Sequence, residues 1–301
     1  MTAQLILSSI LVLSACSSTS DAGGPPWTEG AGGIRATVFL PELVPEGMLV
    51  HGGCFSPGQT EFMFTVSDAA FQRFDVKTIR RVGDGWSSPR NAFFNSSANE
   101  HGTSFSPDGK TLYFSSTRPV HNTTTVSTWQ LWRCQRTGEE WGMPTHVDIP
   151  NLRDALVSHP SVATDGTLYF HAGAPDYSEL QIYSARPDGN RFGDASRLPA
   201  EINRGLQQYT PFIDPERRFL LFEDQSGLMV SFRDSEGTWS RAVALGEQAP
   251  TQTRGNPYIT PDGRFLFFAA GDDPNSADGF PWTLYRVSTA GLNLPSPSSP
   301  Q

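Results

Sequence analysis

The sequence predicts an all-β fold, and three observations predict it. A short motif recurs five times along the 301 residues, aromatic residues make up 11% of the chain, and 28 Gly and 24 Pro supply many turns. Aromatic residues favour strands, while Gly and Pro favour the tight connections between them. We therefore expect many short antiparallel strands, in a chain long enough to bury a large core without disulfides.

The recurring motif is a turn followed by an apolar strand. It reads Ser-Pro-Asp-Gly-Lys-Thr-Leu-Tyr-Phe at 106–114 and Thr-Pro-Asp-Gly-Arg-Phe-Leu-Phe-Phe at 260–268, with weaker copies at 56–64, 163–170 and 214–222. Pro and Asp suit the central positions of a type I turn, and Gly accepts the left-handed conformation that leads into the next strand. Each copy predicts a hairpin whose second strand is buried on both faces.

The period of the motif predicts the architecture. Its closing aromatic residues are spaced 50, 56, 52 and 46 residues apart, at Phe64, Phe114, Phe170, Phe222 and Phe268. This period is typical of four-stranded propeller blades. A third strand follows each hairpin, and a Gly/aromatic signal such as Gly85 with Trp86 separates it from a fourth. We predict a β-propeller of five blades, with six blades as the alternative.

The ring is expected to close through its N-terminal strand. After Val287 the chain is rich in Ser and Pro and offers no fourth strand for the last blade. Residues 34–41 are predicted to supply that strand, because lending it to the last blade removes an exposed sheet edge. The propeller is then one domain over 34–290, between a disordered linker at 17–33 and a disordered tail at 291–301.

The N-terminus resembles a bacterial lipoprotein signal. Residues 5–13 form an apolar run too short to span a membrane, and Leu13, Ser14 and Ala15 precede Cys16 as in the lipobox. The resemblance implies that residues 1–16 hold a signal peptide and a lipidated Cys16. We expect an exported protein that faces the periplasm or the cell surface and contacts the membrane only through this anchor. Ser17 favours the outer membrane where one exists.

The run from Phe105 to Ser116 resembles the TolB-type, WD40-like propeller repeat of exported bacterial proteins, and the resemblance covers about residues 34 to 290. That family includes protein-interaction modules, propellers joined to peptidase domains, and some polysaccharide lyases. Its repeat residues build turns and cores, so the resemblance implies a fold and leaves the function open.

One aligned position of the repeats carries candidate ligands for a metal ion. Its five residues are His51, His101, Ser158, Tyr209 and Gly255. His159 and Gln208 lie next to it, where strands enter the axial channel. Imidazoles ligate transition metals, and the similar oligogalacturonate lyases hold Mn²⁺ with His and Gln at such a mouth. His51, His101, His159 and Gln208 form a candidate metal site, and the alternative is that they bond to loop backbone.

Three further groups of residues are candidates for sites or cross-links. Asp272, Asp273 and Asp278 could bind Ca²⁺, or form a solvated acidic loop. Two long polar stretches predict loops that face a partner. Their candidate contact residues are Arg118, His121, Asn122 and Arg153. Cys54 and Cys134 could form a disulfide in an exported compartment, or remain two separate buried thiols.

Charge and missing motifs argue against several classes of function. A net charge of −9 disfavours nucleic acid as a partner. The sequence has no GxSxG elbow, no HExxH helix and no Gly-rich phosphate loop. We expect a monomeric, non-catalytic scaffold without a cofactor that binds an envelope protein or a cell-wall component. The alternative is a glycan-acting enzyme with Mn or Ca at the channel.

Overall fold

The computed structural model describes residues 36–295 except 41, 43, 45, 121–127, 246–253, 272–281 and 293. Within these residues, five main antiparallel sheets surround one axis and form the predicted five-bladed propeller. The first strand of the chain, β1 (Thr37–Val38), belongs to the last blade. Each sheet is one blade, and we number the blades in chain order.

The first two blades have three long strands and short outer ones. Blade 1 consists of β2 (Leu49–Phe55), β3 (Glu61–Ser67), β4 (Phe74–Val82), β5 (Gly85–Trp86) and β6 (Arg90–Asn91). Blade 2 consists of β7 (Glu100–Phe105), β8 (Thr111–Ser116), β9 (Gln130–Thr137), β10 (Glu140–Trp141) and β11 (Thr145–His146). A 3₁₀ turn at Pro150–Leu152 leads into the third blade.

The remaining blades repeat this order. Blade 3 consists of β12 (Leu156–Val162), β13 (Leu168–Gly173), β14 (Leu180–Ala185) and β17 (Ser196–Arg197), with a ribbon of β15 (Pro187–Asp188) and β16 (Arg191–Phe192). Blade 4 consists of β18 (Gln208–Ile213), β19 (Phe219–Asp224), β20 (Gly227–Phe232) and β21 (Val243–Ala244). Blade 5 consists of β22 (Arg254–Ile259), β23 (Phe265–Ala270), β24 (Thr283–Ser288) and β1.

The predicted closure of the ring is confirmed. Strand β1 pairs antiparallel with β24, with Thr37 opposite Arg286 and Val38 opposite Tyr285. The backbone N–H of Phe39 continues the pairing by donating to the carbonyl of Leu284 at 2.8 Å. Blade 5 therefore takes its outer strand from the opposite end of the chain.

The repeat motif builds the same hairpin in every blade. One residue closes each turn in the left-handed conformation. In chain order these aligned residues are Gln59, Gly109, Gly166, Arg217 and Gly263. In blade 2 the N–H of Gly109 donates to the carbonyl of Ser106 at 2.8 Å, and Asp108 accepts from the N–H of Lys110 at 3.0 Å. Because Gln and Arg stand where Gly was expected, the turn tolerates a residue for which this conformation is less favourable.

These turns define two faces of the ring. The innermost strands are β2, β7, β12, β18 and β22, and each runs from one end of the channel to its hairpin turn. We call the end where these strands begin the entrance face and the end with the hairpin turns the turn face.

The core is divided among the spaces between blades. Five apolar clusters each join strands of two neighbouring blades, including the seam between blades 5 and 1. The closing aromatic residues of the repeat, Phe64, Phe114, Phe170, Phe222 and Phe268, are each at most 4% exposed. Burial of each contributes about 1.5–3 kcal/mol, so the repeat places one major stabilising ring in every blade.

The structure also shows the surroundings of the two cysteines of the strands and of the start of the C-terminal tail. Cys54 and Cys134 are free and buried, and burial raises the pKa of each thiol to about 12. A 3₁₀ turn at Thr289–Gly291 follows the last strand, and Leu292, in the tail expected to be disordered, is buried in the cluster between blades 4 and 5. No helix in the described residues is long and apolar enough to cross a membrane.

Candidate functional site

The innermost strands carry a bulge close to the entrance face. Pairing with the second strand shifts at this point in all five blades. One residue per blade has a positive φ here: Gly52, Gly102, His159, Thr210 and Asn256. These bulge residues line the axial channel together. The predicted aligned position, which includes His51 and His101, lies one residue before them, so the sequence alignment of the five blades is confirmed.

Side chains of neighbouring blades fix these bulges. The N–H of His159 donates to Oγ of Ser115 at 2.9 Å, and the N–H of Thr210 donates to Nδ1 of His171 at 3.1 Å. The N–H of Asn256 donates to Oγ1 of Thr210 at 3.2 Å. Each freed backbone donor thus finds a partner across a blade interface, which satisfies a group that is costly to bury alone.

A cluster of imidazoles lies at this level of the channel. Nδ1 of His101 is 3.2 Å from Nε2 of His159, and Oγ of Ser158 lies 3.3 Å from Nε2 of His101 and 3.2 Å from Nδ1 of His159. The ring of His171 is 5.0 Å from that of His159. We call His101, His159 and His171 the histidine cluster. Ser158 bonds to two of its members and is fully buried.

Burial keeps these imidazoles neutral. It lowers the pKa of His159 to about 3, although a side-chain hydrogen bond with Asn256 favours the charged form. Burial also holds the pKa of His101 and His171 well below 6.5, and the neighbouring histidines lower both further. His51 is nearby, and burial lowers its pKa to about 4. A neutral imidazole offers one donor and one acceptor, and the contacts above use these groups.

Burial shifts the pKa of Glu223, in the fourth blade, in the opposite direction. Burial raises the pKa of this carboxyl to about 8, against a hydrogen bond from Oγ1 of Thr210. A Cβ placed on Gly255 would lie 2.3 Å from Oε2 of Glu223. A larger residue at position 255 would therefore displace this carboxyl group from the place that it occupies.

The four predicted metal ligands are only partly brought together. His101 and His159 are in contact, whereas Nε2 of His51 bonds to Oγ of Ser67 at 2.6 Å. The amide oxygen of Gln208 accepts from Nε2 of Gln181 at 2.9 Å. Across the residues with described positions, no group of three His, Cys, Asp or Glu side chains is placed to hold a metal ion. A Mn²⁺ site stays a prediction, and Asp272, Asp273 and Asp278, the proposed Ca²⁺ ligands, lie outside the described residues.

The channel contains a small chamber and a wide cavity. The chamber, of about 50 Å³, lies at the bulges and has room for a few water molecules at most. The cavity, of about 1080 Å³, opens at the turn face. Phe212 and Tyr258 line both, and their rings meet edge to face at 5.5 Å. The larger concave site is thus at the opposite end of the ring from the predicted one.

The proposed partner-facing residues differ in their surroundings. The guanidinium of Arg118 points inward, where Nη2 is 2.9 Å from Oε1 of the fully buried Glu100, and its side chain is only 15% exposed. Arg118 therefore forms a structural ion pair with Glu100 inside blade 2, and its side chain presents little charge to a partner. Arg153 is exposed and pairs with Asp148 at 2.6 Å. His121 and Asn122 lie outside the described residues.

Comparisons with known proteins concern the fold. No family model matches the sequence, and no curated protein matches it. The chain is similar to the putative TolB from Agrobacterium tumefaciens, at 16% identity and a TM-score of 0.50 over 82% of this chain and 81% of that one. The fold is TolB-like.

Two solved enzymes are also similar. One is a gluconolactonase from Xanthomonas campestris, at 13% identity and a TM-score of 0.47 over 87% of this chain and 91% of that one. The other is an α-L-arabinofuranosidase from Lactobacillus brevis, at 11% identity and a TM-score of 0.49 over 79% and 91%. Likeness at this level says nothing about the activity of the present TolB-like chain.

Sequence reasoning missed His171, although a signal for it was present. It directly follows the closing aromatic residue of the third repeat. The equivalent residues in chain order are Thr65, Ser115, His171, Glu223 and Ala269, of which four are polar. A polar residue inside an otherwise apolar strand indicates a contact with a buried polar group. For His171 this group is the bulge of the next blade.

Proposed function

We propose that the chain is a non-catalytic, lipid-anchored TolB-like propeller that binds an apolar segment of an envelope protein in the wide cavity. The fold itself is compatible with a scaffold or an enzyme. The proposal therefore depends on the chemistry at the two ends of the channel. One observation carries it: apolar side chains form about half of the wall of the wide cavity, and its charged side chains are hydrogen-bonded within the chain.

Among the described residues, the entrance end of the channel shows no side chain in the usual arrangement of a catalytic base. A general base has to reach a substrate proton, directly or through water. The cluster imidazoles instead contact each other, Ser158 and the N–H of Thr210. His101 and His171 are also at most 8% exposed. These contacts support a structural role for the histidine cluster.

The wide cavity has the character of a binding site. Its volume is at the upper end of the usual range for ligand sites. Apolar side chains form much of its wall, among them Phe105, Val162, Ile213, Phe219 and Ile259. Its charged residues are Arg218 and Asp214, joined by two hydrogen bonds of 2.6 and 2.8 Å, and Glu216, which accepts from Oγ1 of Thr164 at 3.1 Å. Apolar side chains of a partner would gain from burial against the apolar part of this wall.

A photo-crosslinker at the rim of the cavity tests this proposal. Ala290 is exposed and lines the cavity, so a benzoylphenylalanine at this position is expected to form an adduct with another protein in living cells. Ser235 is exposed and outside the cavity lining, and it serves as the matched control position.

A second substitution links the adduct to the cavity. Thr164→Trp places a large ring on the rim in blade 3 and is expected to reduce the yield of the Ala290 adduct at least about tenfold, the loss expected for about 1.4 kcal/mol of binding energy. An equal yield from Ser235, or a yield that Thr164→Trp leaves unchanged, contradicts the proposal.

The anchor is proposed from the lipobox alone. We expect cells fed a clickable palmitate analogue to label the wild-type chain, and the Cys16→Ala variant to lose the label because no other thiol in the motif can accept the lipid. The readout is in-gel fluorescence of the immunoprecipitated chain, with Cys54→Ala as the control variant. Label retained by Cys16→Ala contradicts the anchor.

A further inference from the structure

We infer that the entrance face carries a second binding site, for a neutral glycan chain, built from aromatic rings of neighbouring blades. This site lies at the opposite end of the ring from the wide cavity. It does not rest on the proposed function, and either can fail without the other.

Two equivalent turns of the entrance face present exposed rings. The turns join the second and third strands of blades 1 and 3. The N–H of Phe71 donates to the carbonyl of Asp68 at 3.2 Å, and the N–H of Tyr177 donates to that of Ala174 at 3.0 Å. Phe71 is 37% exposed and Tyr177 50%. The same turn thus places an aromatic side chain on the surface in two separate blades.

Both residues hold an unfavourable backbone conformation. Their φ angles are 53° and 62°, in the left-handed region that bulky side chains rarely adopt. Such conformations cost about 1–3 kcal/mol each and cluster at binding sites. Nε2 of Gln207 fixes the second turn by donating to the carbonyls of Tyr177 and Ser178 at 2.9 and 3.0 Å. The rings are therefore held in place before any ligand binds.

Further rings connect the two turns. We call the whole set the aromatic collar: Phe71, Phe74, Trp129, Tyr177, Trp282 and His51. Phe71 and Tyr177 are its exposed members, Trp129 is buried beneath them, and the other three are half-buried. The ring of His51 lies 5.3 Å from Phe71, 5.3 Å from Phe74 and stacks on Trp282 at 5.8 Å.

The collar extends from there into blade 3. The ring of Phe74 is 6.1 Å from that of Trp129, and the side chains of Trp129 and Tyr177 are hydrogen-bonded. Because its members come from blades 5, 1, 2 and 3, the collar forms an arc beside the channel mouth. An arc fits an extended ligand better than a compact one.

Several charged groups near the collar already have hydrogen-bond partners within the chain. Oδ1 of Asp68 accepts from the N–H of Gln72 at 2.8 Å, and Oδ1 of Asp176 accepts from that of Ser178 at 3.0 Å. Arg73 pairs with Asp75 at 2.9 Å. The net charge of −9 also opposes polyanions. These groups leave aromatic faces, rather than charge, as the recognition element.

A neutral glycan matches this chemistry. The C–H faces of sugar rings pack against aromatic rings, which offer a large rigid contact area at low entropic cost. Successive sugars along a chain present such faces at intervals, as the collar presents its rings. A glycan also carries no charge that the collar would have to neutralise.

Titration of the detergent-solubilised mature chain with defined sugars tests the inference. The probes are cellohexaose, chitohexaose and maltohexaose, with hexagalacturonate as the acidic comparison. We expect at least one neutral hexasaccharide to bind by calorimetry and to shift the fluorescence of the collar tryptophans. Absence of binding by all three neutral probes at 10 mM, near the weakest affinity such contacts would give, overturns the inference. Binding of hexagalacturonate alone also overturns it.

Glycine substitutions separate recognition from folding. Phe71→Gly and Tyr177→Gly remove the rings and relieve the left-handed conformation, so we expect unchanged or higher thermal stability with at least about tenfold weaker glycan binding. Phe93→Ala is the matched control, because Phe93 is an exposed aromatic residue, 49% accessible, outside the collar. Equal binding by all three variants overturns the inference. Both glycine variants are expected to leave the yield of the Ala290 adduct unchanged, because Ala290 lies at the other end of the ring.

Discussion

Phe39→Ala is expected to lower the free energy of unfolding by about 3–5 kcal/mol, the largest effect of any single substitution considered for this chain. Phe39 directly follows β1 and is only 9% exposed. Its ring packs edge to face against Phe55, Phe62 and Phe267 at 6.0, 5.3 and 4.8 Å. It therefore joins blade 5 to blade 1 at the point where the ring closes. Urea denaturation followed by tryptophan fluorescence measures the change.

The effect is expected to come from the seam rather than from loss of an aromatic ring in general. Phe93→Ala removes the same atoms from a half-exposed position, so its cost should stay near 1 kcal/mol or below. A loss for Phe39→Ala no greater than for Phe93→Ala would show that the closure contributes little to the stability of the ring.

Stability is expected to fall steeply as the pH is lowered from 6.5 to 4. The imidazoles of His51, His101, His159 and His171 stay neutral in the folded chain, while in the unfolded chain they take up protons below about pH 6.5. A lowered folded pKa gives stability that is complete above the unfolded pKa and is lost as the pH falls towards the folded one. Each histidine contributes about 1.4 kcal/mol per pH unit within its window.

Glu223 acts with the opposite sign. Its folded pKa of about 8 lies above the unfolded value, so its contribution is complete below about pH 4.5 and is lost as the pH rises towards 8. Four histidines outweigh one carboxyl between pH 4.5 and 6.5, and only Glu223 among these groups titrates above that range. The stability maximum of the chain is therefore expected near pH 6.5.

Two substitutions resolve these contributions. His51→Gln keeps a partner for Ser67 and is expected to reduce the acid slope by about 1.4 kcal/mol per pH unit. Glu223→Gln is expected to remove the decline above pH 6.5 and to leave the acid slope unchanged. Urea midpoints at half-unit intervals from pH 4 to 8 provide the data. A stability that is flat below pH 6.5 would mean that the imidazoles are accessible to protons in the folded chain.

The repeat made most of the fold predictable. Its period gave the number of blades, its turn residues gave the hairpins, and the missing last strand gave the pairing of β1 with β24. Alignment of the copies also placed His51 and His101 at one level of the channel. These features depend on local pattern and on the need to cover sheet edges.

The details of the site depended on geometry that the pattern does not contain. The bulges turn the chain by one residue, so His159 rather than Ser158 reaches the channel axis. The sequence places Arg118 in a polar connection after β8. In the structure its guanidinium turns inward and pairs with the buried Glu100 of the neighbouring strand β7. The wide cavity and the small chamber share Phe212 and Tyr258 in their walls, and the contact between these two rings joins side chains of blades 4 and 5. Side-chain volumes across five blades decide this, and no single repeat specifies it.

The position of β1 also has a mechanical consequence. Residues 1–35 precede this strand, so any pull along the N-terminal segment reaches β1 before any other strand of the ring. Two residues of β1 pair there with β24, the N–H of Phe39 adds one more hydrogen bond to Leu284, and the Phe39 ring provides the packing behind them. Tension on the segment would act on this short ladder first. Force applied to the N-terminal segment would therefore open the ring between blades 5 and 1.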